Sequence, residues 1–474
     1  MSIRSLGKQT LIYGIGTILA RIVTFLLLPL YTNVFTAEEY GVVALAYAFI
    51  GFTIMLYRYG MDAALMKYYV EAKGEEKKKY FTIIFVSQIL TSLIFSGVLY
   101  VFSAVLAPIF LGGDYEFLMQ LVAIILFFDA LWMLPLLILR AEEKPKHYII
   151  LSLLNVVLLM SLNIYLVVYK GMGIQGVLIG NIVASGILLL ATLPIIFRNI
   201  RISLLDKVVL KQVLRFGLPF FPAGIFTMIM ELSDRYLLEW MTNTALVGIY
   251  SAGNKLGMFG MLMVMGFNMG WMPYFLRIGK QKNAPIIFAR VATYFLGISG
   301  FFIVIISLWI DSVVRINIGN VTVFGSEFWS STRVVPLILL GYYFSGLFVL
   351  QLPGVFILNK TKWMPIMRGS GAIVSITANL ILIPIFDITG AAMAKVLAYF
   401  CMATTIYIMT RNDYPIPFRP RSVLFPIVFM LIIIAVPLSN ELRLLITILY
   451  PVLWFLLVAE KIDIEKIMSL YQKK

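Results

Sequence analysis

The sequence predicts an all-α polytopic membrane protein with about 14 transmembrane helices, on three observations. Apolar residues make up 61% of the 474 and charged residues only 13%, against roughly 45–50% and about 25% in soluble domains. The mean hydropathy is +0.96. The apolar excess also runs the whole length, in stretches near the ~20 residues that cross a hydrocarbon core as helix. A single-span receptor and a large soluble domain are both excluded.

Short charged or Gly/Pro breaks delimit the helices. The first six are predicted over 10–34, 40–59, 80–108, 116–139, 148–169 and 174–197. The next six cover 216–240, 247–275, 291–311, 334–358, 364–386 and 390–410, and the last two 422–438 and 444–459. The first is too long for a cleavable signal peptide and no small-residue cleavage site follows it. The longest breaks are Lys67–Lys79, read as a solvated anchor at the headgroups, and Arg198–Arg215.

Loop charge sets the orientation. With the N-terminus (Arg4, Lys8) inside and strict alternation, only Lys170, Arg315, Arg333 and Arg443 of the 38 Lys and Arg fall in outer loops. One helix too many or too few would invert every later loop, so the asymmetry supports both the count and cytoplasmic termini. The net charge of +15 is then a property of cytoplasmic loops, and nucleic acid is not an expected partner.

Weak matches suggest that the first twelve helices are two copies of one unit. Lys8-Gln9-Thr10-Leu11 with Gly14 recurs as Lys211-Gln212-Val213-Leu214 with Gly217. Glu39-Tyr40-Gly41 aligns with Leu246-Val247-Gly248, Asn163 with Asn379, and Gly176 with Gly390. Six helices per copy is even, so both copies enter from the same side and the pseudo-two-fold axis lies along the membrane normal. The expected domains are an N-terminal six-helix bundle (1–197), a cytoplasmic linker (198–215), a C-terminal six-helix bundle (216–411) and two additional helices (422–459).

Enzyme chemistry finds little support. One cysteine, Cys401, and one histidine, His147, exclude an internal disulfide and a histidine metal cluster. No GxxxxGK[ST], HExxH or GxSxG occurs. The outer-loop acids Glu38, Glu39, Asp114, Glu116, Asp311, Glu327, Asp387 and Glu441 are scattered, which argues against a membrane glycan polymerase or ligase. Neither catalytic residues nor a cofactor or metal site is expected.

The informative residues are charges inside apolar helices, where each costs about 2.5–3.5 kcal/mol at mid-bilayer and therefore faces a wet cavity or a partner. Arg21 lies about eleven residues from either end of its helix, roughly 16 Å deep at 1.5 Å per residue. It is read as facing a cavity, an ion pair being the alternative. Lys255 has no acid within one turn and is read the same way. Glu231 and Arg235 are spaced to pair along one face, with Asp234 and Glu239 beside them. Arg58 and Asp62 share that spacing near the cytoplasmic end. Asp129 is a lone mid-membrane acid, open as a proton or cation site or as a hydrogen-bonded structural group. Lys395 is ambiguous. Gln88, Asn155, Asn163, Asn181, Asn254, Asn268 and Asn379 can meet sugar hydroxyls or tie helices together. Arg21 and Lys255 fall in opposite halves, so a cavity between the halves would be positive and suited to phosphate or pyrophosphate.

Ala20-Arg21-Ile22, Leu28-Pro29-Leu30-Tyr31-Thr32 and Glu38-Glu39-Tyr40-Gly41 resemble bacterial polysaccharide flippases of the multidrug/oligosaccharidyl-lipid/polysaccharide exporter superfamily. Gly217-Leu218-Pro219, Ser233-Asp234-Arg235 and Val247-Gly248-Ile249-Tyr250-Ser251 are similar to the second-half signature of that family. The resemblance covers essentially the whole chain. It implies a V-shaped pair of six-helix bundles around a central cavity, and translocation of undecaprenyl-pyrophosphate-linked oligosaccharide across the bacterial cytoplasmic membrane by alternating access. It also implies cavity cations at Arg21, Arg58 and Lys255, with Arg235 as a helper. Membrane lipids, a polysaccharide polymerase and glycosyltransferases would be its partners. Transport would draw on the membrane potential or an H+ or Na+ gradient, with Asp129, Glu231 and Asp234 as candidate coupling acids. Fourteen helices rather than the family's usual twelve keep a lipid II-type flippase in play, and a cation-coupled multidrug antiporter of the same superfamily is the other transport alternative.

Overall fold

The computed structural model describes residues 25–319, 321–436 and 438–458. Among them, ten helices are long and apolar enough to cross a membrane. One of these, Met364–Thr410, turns sharply at Asp387 (φ 48°, ψ −128°). It therefore supplies both predicted helices 364–386 and 390–410. Thr244–Ile278, 35 residues long, and the shorter apolar Pro420–Ala435 fill the remaining predicted positions. The span 10–34 lies largely outside the described residues. The only strand pairing among the described residues is a two-residue hairpin, Asn317–Ile318 with Val321–Thr322, so the chain is an all-α polytopic membrane protein.

Contacts divide the chain into two compact units. One reaches Ala252 and includes Asn379–Ile388; the other holds Gly253–Ala378 and the chain from Thr389. In the first, α1 (Leu27–Val34) leads into α2 (Ala37–Arg58). Thr36 and Glu39 begin α2 by a reciprocal capping box: the Glu39 amide donates to Thr36 Oγ1 (3.2 Å) and the Thr36 amide to Glu39 Oε2 (3.0 Å). This satisfies two amides that a helix start leaves without partners. Left-handed Tyr59 and Gly60 end α2 and turn the chain into α3 (Met61–Glu71). The break Lys67–Lys79 is itself structured. It holds the end of α3 and the first turn of α4 (Glu75–Val101), with Lys67 4.2 Å from the Phe216 ring and Lys79 2.8 Å from Asp206. The predicted helix 80–108 is divided at Phe102 into α4 and α5 (Ser103–Leu111).

Next come α6 (Glu116–Ala141), α7 (Pro145–Asn163, continued by a π-turn to Tyr169) and α8 (Gly173–Asn199). The following stretch contains α9 (Lys207–Gly217), opened by Asp206, whose carboxylate accepts from the amides of Val208 and Val209. The hydrogen bond from Lys79 and those from these amides hold the exposed Asp206 carboxyl below its ordinary range. Met61, Leu65, Tyr69, Phe81, Phe85 and Val213 form one core beneath these elements.

α10 (Phe220–Met241) lies along α2, with Gly51 facing Leu232 and Tyr236 donating to the Leu45 carbonyl (3.2 Å). Beyond it, the first turns of α11 (Thr244–Ile278) meet α2 backbone on backbone. A Cβ on Gly41 would sit 2.0 Å from the Thr244 carbonyl oxygen, and one on Gly248 would sit 1.9 Å from that of Ala37. The alignment that pairs Gly41 with Gly248 also pairs Ala37 with Thr244. The contact is thus reciprocal, as a local two-fold requires.

The second unit is organised around α13 (Val335–Gln351), after α12 (Ala284–Val314). Most of the span containing α13 is buried within the protein. Gly253, Gly257 and Gly260 of α11 present a small-residue face to Ser331, Ile338 and Tyr342, the arrangement that lets helices approach in lipid. α14 (Met364–Thr410), α15 (Pro420–Ala435) and α16 (Asn440–Leu457) follow. The last two pack on α12, where Gly297 accommodates Trp454 and Gly300 accommodates Tyr450 and Pro426.

The α2–α11 contact leaves no room for a side chain. Overpacking of this kind costs about 1–3 kcal/mol. Gly248→Val should lower the melting temperature of the detergent-purified protein in a thermal-shift assay, with Gly186→Val, where a Cβ meets nothing within 4 Å, as the control. Equal melting for both variants would contradict the close approach.

Candidate functional site

Two groups of ionisable side chains lie inside the first unit. In one, Asp234 of α10 is 2% exposed and accepts from the Tyr250 hydroxyl (2.6 Å), the Arg235 amide (2.9 Å) and Arg235 Nη1 (3.3 Å). Arg235 Nη1 also donates to the Glu231 backbone carbonyl (2.9 Å), so the i,i+4 spacing joins these residues by a main-chain hydrogen bond. The Arg235 charge reaches Tyr40 of α2. Tyr31, near Tyr40, donates to Asn163 Oδ1 (2.7 Å) and ties α1 to α7. A buried pair survives in a low-dielectric interior only when further hydrogen bonds satisfy its polar atoms. Tyr250 and the Glu231 carbonyl supply them here.

In the other group, Arg58 closes α2 and places Nη2 2.6 Å from Met133 Sδ. The charges of Asp62 and Asp129 both act on it. Asp129 Oδ1 accepts from Ser185 Oγ (2.6 Å) and Trp132 Nε1 (2.9 Å), joining α6 to α8. The Asp129 charge is also felt at Tyr47. The lone acid of the sequence is thus hydrogen-bonded and lies in the field of an arginine.

In the second unit, Lys395 of α14 is 1% exposed and donates from Nζ to Asn254 Oδ1 (3.1 Å) on α11. Gly341 of α13 packs on its aliphatic stem. Lys255, one residue on from Asn254, is half-buried. Arg21 lies outside the described residues.

Sequence reasoning ranked Lys255 above Lys395. The signal for Lys395 was a lysine within the apolar run 390–410, and its asparagine partner is 141 residues away. The tyrosines around Asp129 and Arg235 were also missed, because buried tyrosines read as core until their hydroxyls are placed. Gln88, Asn163 and Asn254 tie helices: Gln88 donates to the Tyr57 carbonyl (2.5 Å) and Ser92. Asn155 Oδ1 and Asn268 Oδ1 are buried without a hydrogen bond among the described residues. Among those residues, no group of three His, Cys, Asp or Glu side chains is placed to hold a metal ion.

Removing one member of a buried pair costs about 3–5 kcal/mol because the other charge loses its match. Asp234→Ala should therefore lower thermal stability strongly, and Asp234→Ala with Arg235→Met should recover most of the loss. A double variant as unstable as the sum of its single variants would show that the two residues do not act as a pair.

The family model described as polysaccharide biosynthesis protein matches residues 6–279. No curated protein matches the chain in sequence. The structure is similar to that of the lipid II flippase MurJ in an inward closed conformation, with TM-score 0.75 and 17% identity, covering 94% of this chain and 98% of that one. It is also similar to an inward-facing multidrug resistance MATE family transporter of the MOP superfamily, with TM-score 0.65 and 13% identity over 83% of this chain and 94% of that one. A variant of the Vibrio cholerae MATE transporter VcmN matches with TM-score 0.58 and 13% identity over 86% and 97% of the respective chains. The chain belongs to the polysaccharide biosynthesis protein family and is a multi-pass membrane protein with the fold of the MOP-superfamily exporters.

Proposed function

We propose that the protein flips an undecaprenyl-pyrophosphate-linked oligosaccharide across the bacterial cytoplasmic membrane by alternating access, with both termini in the cytoplasm. The observation that carries this reading is cationic side chains held within apolar helices on a fold that a lipid II flippase also has. Cations kept at that cost suit an anionic head group, which they bind by charge-assisted hydrogen bonds. Arg21 and Lys255 engage the pyrophosphate, and Arg58 and Arg235 assist. Asn155 and Asn268 offer side-chain oxygens to sugar hydroxyls. The prenyl tail stays in lipid, so only the head group needs a polar path. An inside-negative potential favours outward movement of an anion by about 2.3 kcal/mol per charge per 100 mV. Glycosyltransferases would make the substrate and a polymerase would consume it. A lipid II-type precursor is the nearest alternative substrate, since its head group carries the same pyrophosphate.

The placement of Asp129 favours a second reading, cation-coupled antiport. Its carboxylate is held by Ser185 and Trp132 within the field of Arg58, so that protonation would change the charge acting on the arginine.

The test is flipping of a fluorescent undecaprenyl-pyrophosphate oligosaccharide in proteoliposomes. A hydrogen bond to a charged group is worth about 1.5–3 kcal/mol, so Arg21→Ala should slow flipping about ten-fold or more, while Asp129→Asn leaves a potential-driven rate largely intact. Wild-type flipping at background rate would remove the flippase reading. Collapse of transport in Asp129→Asn alone, with dependence on a pH or Na+ gradient, would favour the antiporter.

A further inference from the structure

A cavity of about 620 Å³ opens in the first unit between the end of α3, the start of α4, and the ends of α6 and α8. Lys73, Lys77, Lys78 and Arg198 line it, with Glu142 as the one carboxylate among its lining residues. None of these residues belongs to the sites discussed above.

The wall is built rather than incidental. Tyr69, 1% exposed, shares its one hydroxyl proton between Glu142 Oε1 (2.8 Å) and Asn199 Oδ1 (3.1 Å), and Lys77 stands 5.2 Å from its ring. Gly74, at φ 56°, turns the chain so that the 27-residue α4 begins at the cavity. Burial pushes the Glu142 carboxyl up, but hydrogen bonds from Lys144 (2.5 Å) and Tyr69 and the charge of Arg198 outweigh it and hold it below its ordinary range. Glu142 is therefore ionised and already matched by Lys144, which leaves the lining with an excess of positive charge. The nearby Glu75 and Glu76 are exposed and do not line it.

The depth of the cavity points to its ligand. Glu142 follows a span that ends at Ala141, Asn199 ends another, and Glu75 starts a third. The cavity thus lies where spans leave the hydrocarbon and lipid phosphates are found. Val70, 55% exposed, adds an apolar edge. Basic pockets at helix ends on the positively charged side of a membrane protein suit anionic headgroups. We propose that this cavity binds the phosphate headgroup of an anionic membrane lipid. The proposal is independent of which substrate the protein moves.

The experiment uses the full-length protein, purified in detergent and stripped of lipid, with dioctanoyl phosphatidylglycerol as probe and native mass spectrometry as readout. Dioctanoyl phosphatidylcholine and inorganic phosphate are the comparison ligands. Phosphatidylglycerol should bind about ten-fold or more tightly than phosphatidylcholine, and more weakly as salt is raised. Lys73→Gln with Lys78→Gln and Arg198→Gln should weaken it about ten-fold while leaving phosphatidylcholine unchanged. Lys73→Gln alone, at an exposed position, should give a smaller loss in the same direction and serves if the triple variant is not recovered. Equal binding of the two lipids, or phosphatidylglycerol binding unchanged in the variants, would overturn the proposal. Inorganic phosphate binding as tightly as phosphatidylglycerol would overturn the lipid as its source.

Discussion

The first turns of α2 and α11 touch through main-chain atoms, Gly41 against Thr244 and Gly248 against Ala37. Much of the first unit follows from that approach. In lipid, association gains little from hydrophobic burial, so close van der Waals contact and hydrogen bonds must hold helices together. Two glycines bring the backbones near enough for α10 to lie along α2, and this places Tyr236 on the Leu45 carbonyl and Asp234 beside Tyr250. The second unit uses the same device, with Gly253, Gly257 and Gly260 seating α11 against α13 and the segment before it.

Within this close-packed frame the protein holds charge where lipid disfavours it. The buried ionic groups are met by polar neighbours. Asp234 has Arg235 and Tyr250, Asp129 has Ser185 and Trp132, and Lys395 has Asn254. Such matching is what the desolvation cost demands. The charges can therefore be kept within apolar helices.

The segments read as loops have structure because their charged residues have partners. Lys79 meets Asp206, Lys67 meets the Phe216 ring, and Asp206 caps α9. Amphipathic helices at the ends of spans bury one face, Val213 among them, on the core around Met61 and Phe81. The basic cavity between Lys73 and Arg198 is a consequence of that arrangement.

The sequence alone determined the class, because hydropathy and span length are local properties and the bilayer sets both. Loop charge set the expected number of helices, and polarity within an apolar run marked the break at Asp387. The glycines 41 and 248 were legible as repeat positions. Their mutual contact was not, since nothing in a linear match says that equivalent segments touch. The same holds for the site. Asp129, Arg58, Asp234 and Arg235 stood out because ionised groups in apolar helices are costly. Only the tertiary structure decided their partners: Ser185, Trp132 and Met133 lie on other turns or other helices, and Asn254 reaches Lys395 across 141 residues. Composition registers the cost of a charge, but the hydrogen bonds that offset it are made between helices distant in the chain, and only packing brings them together.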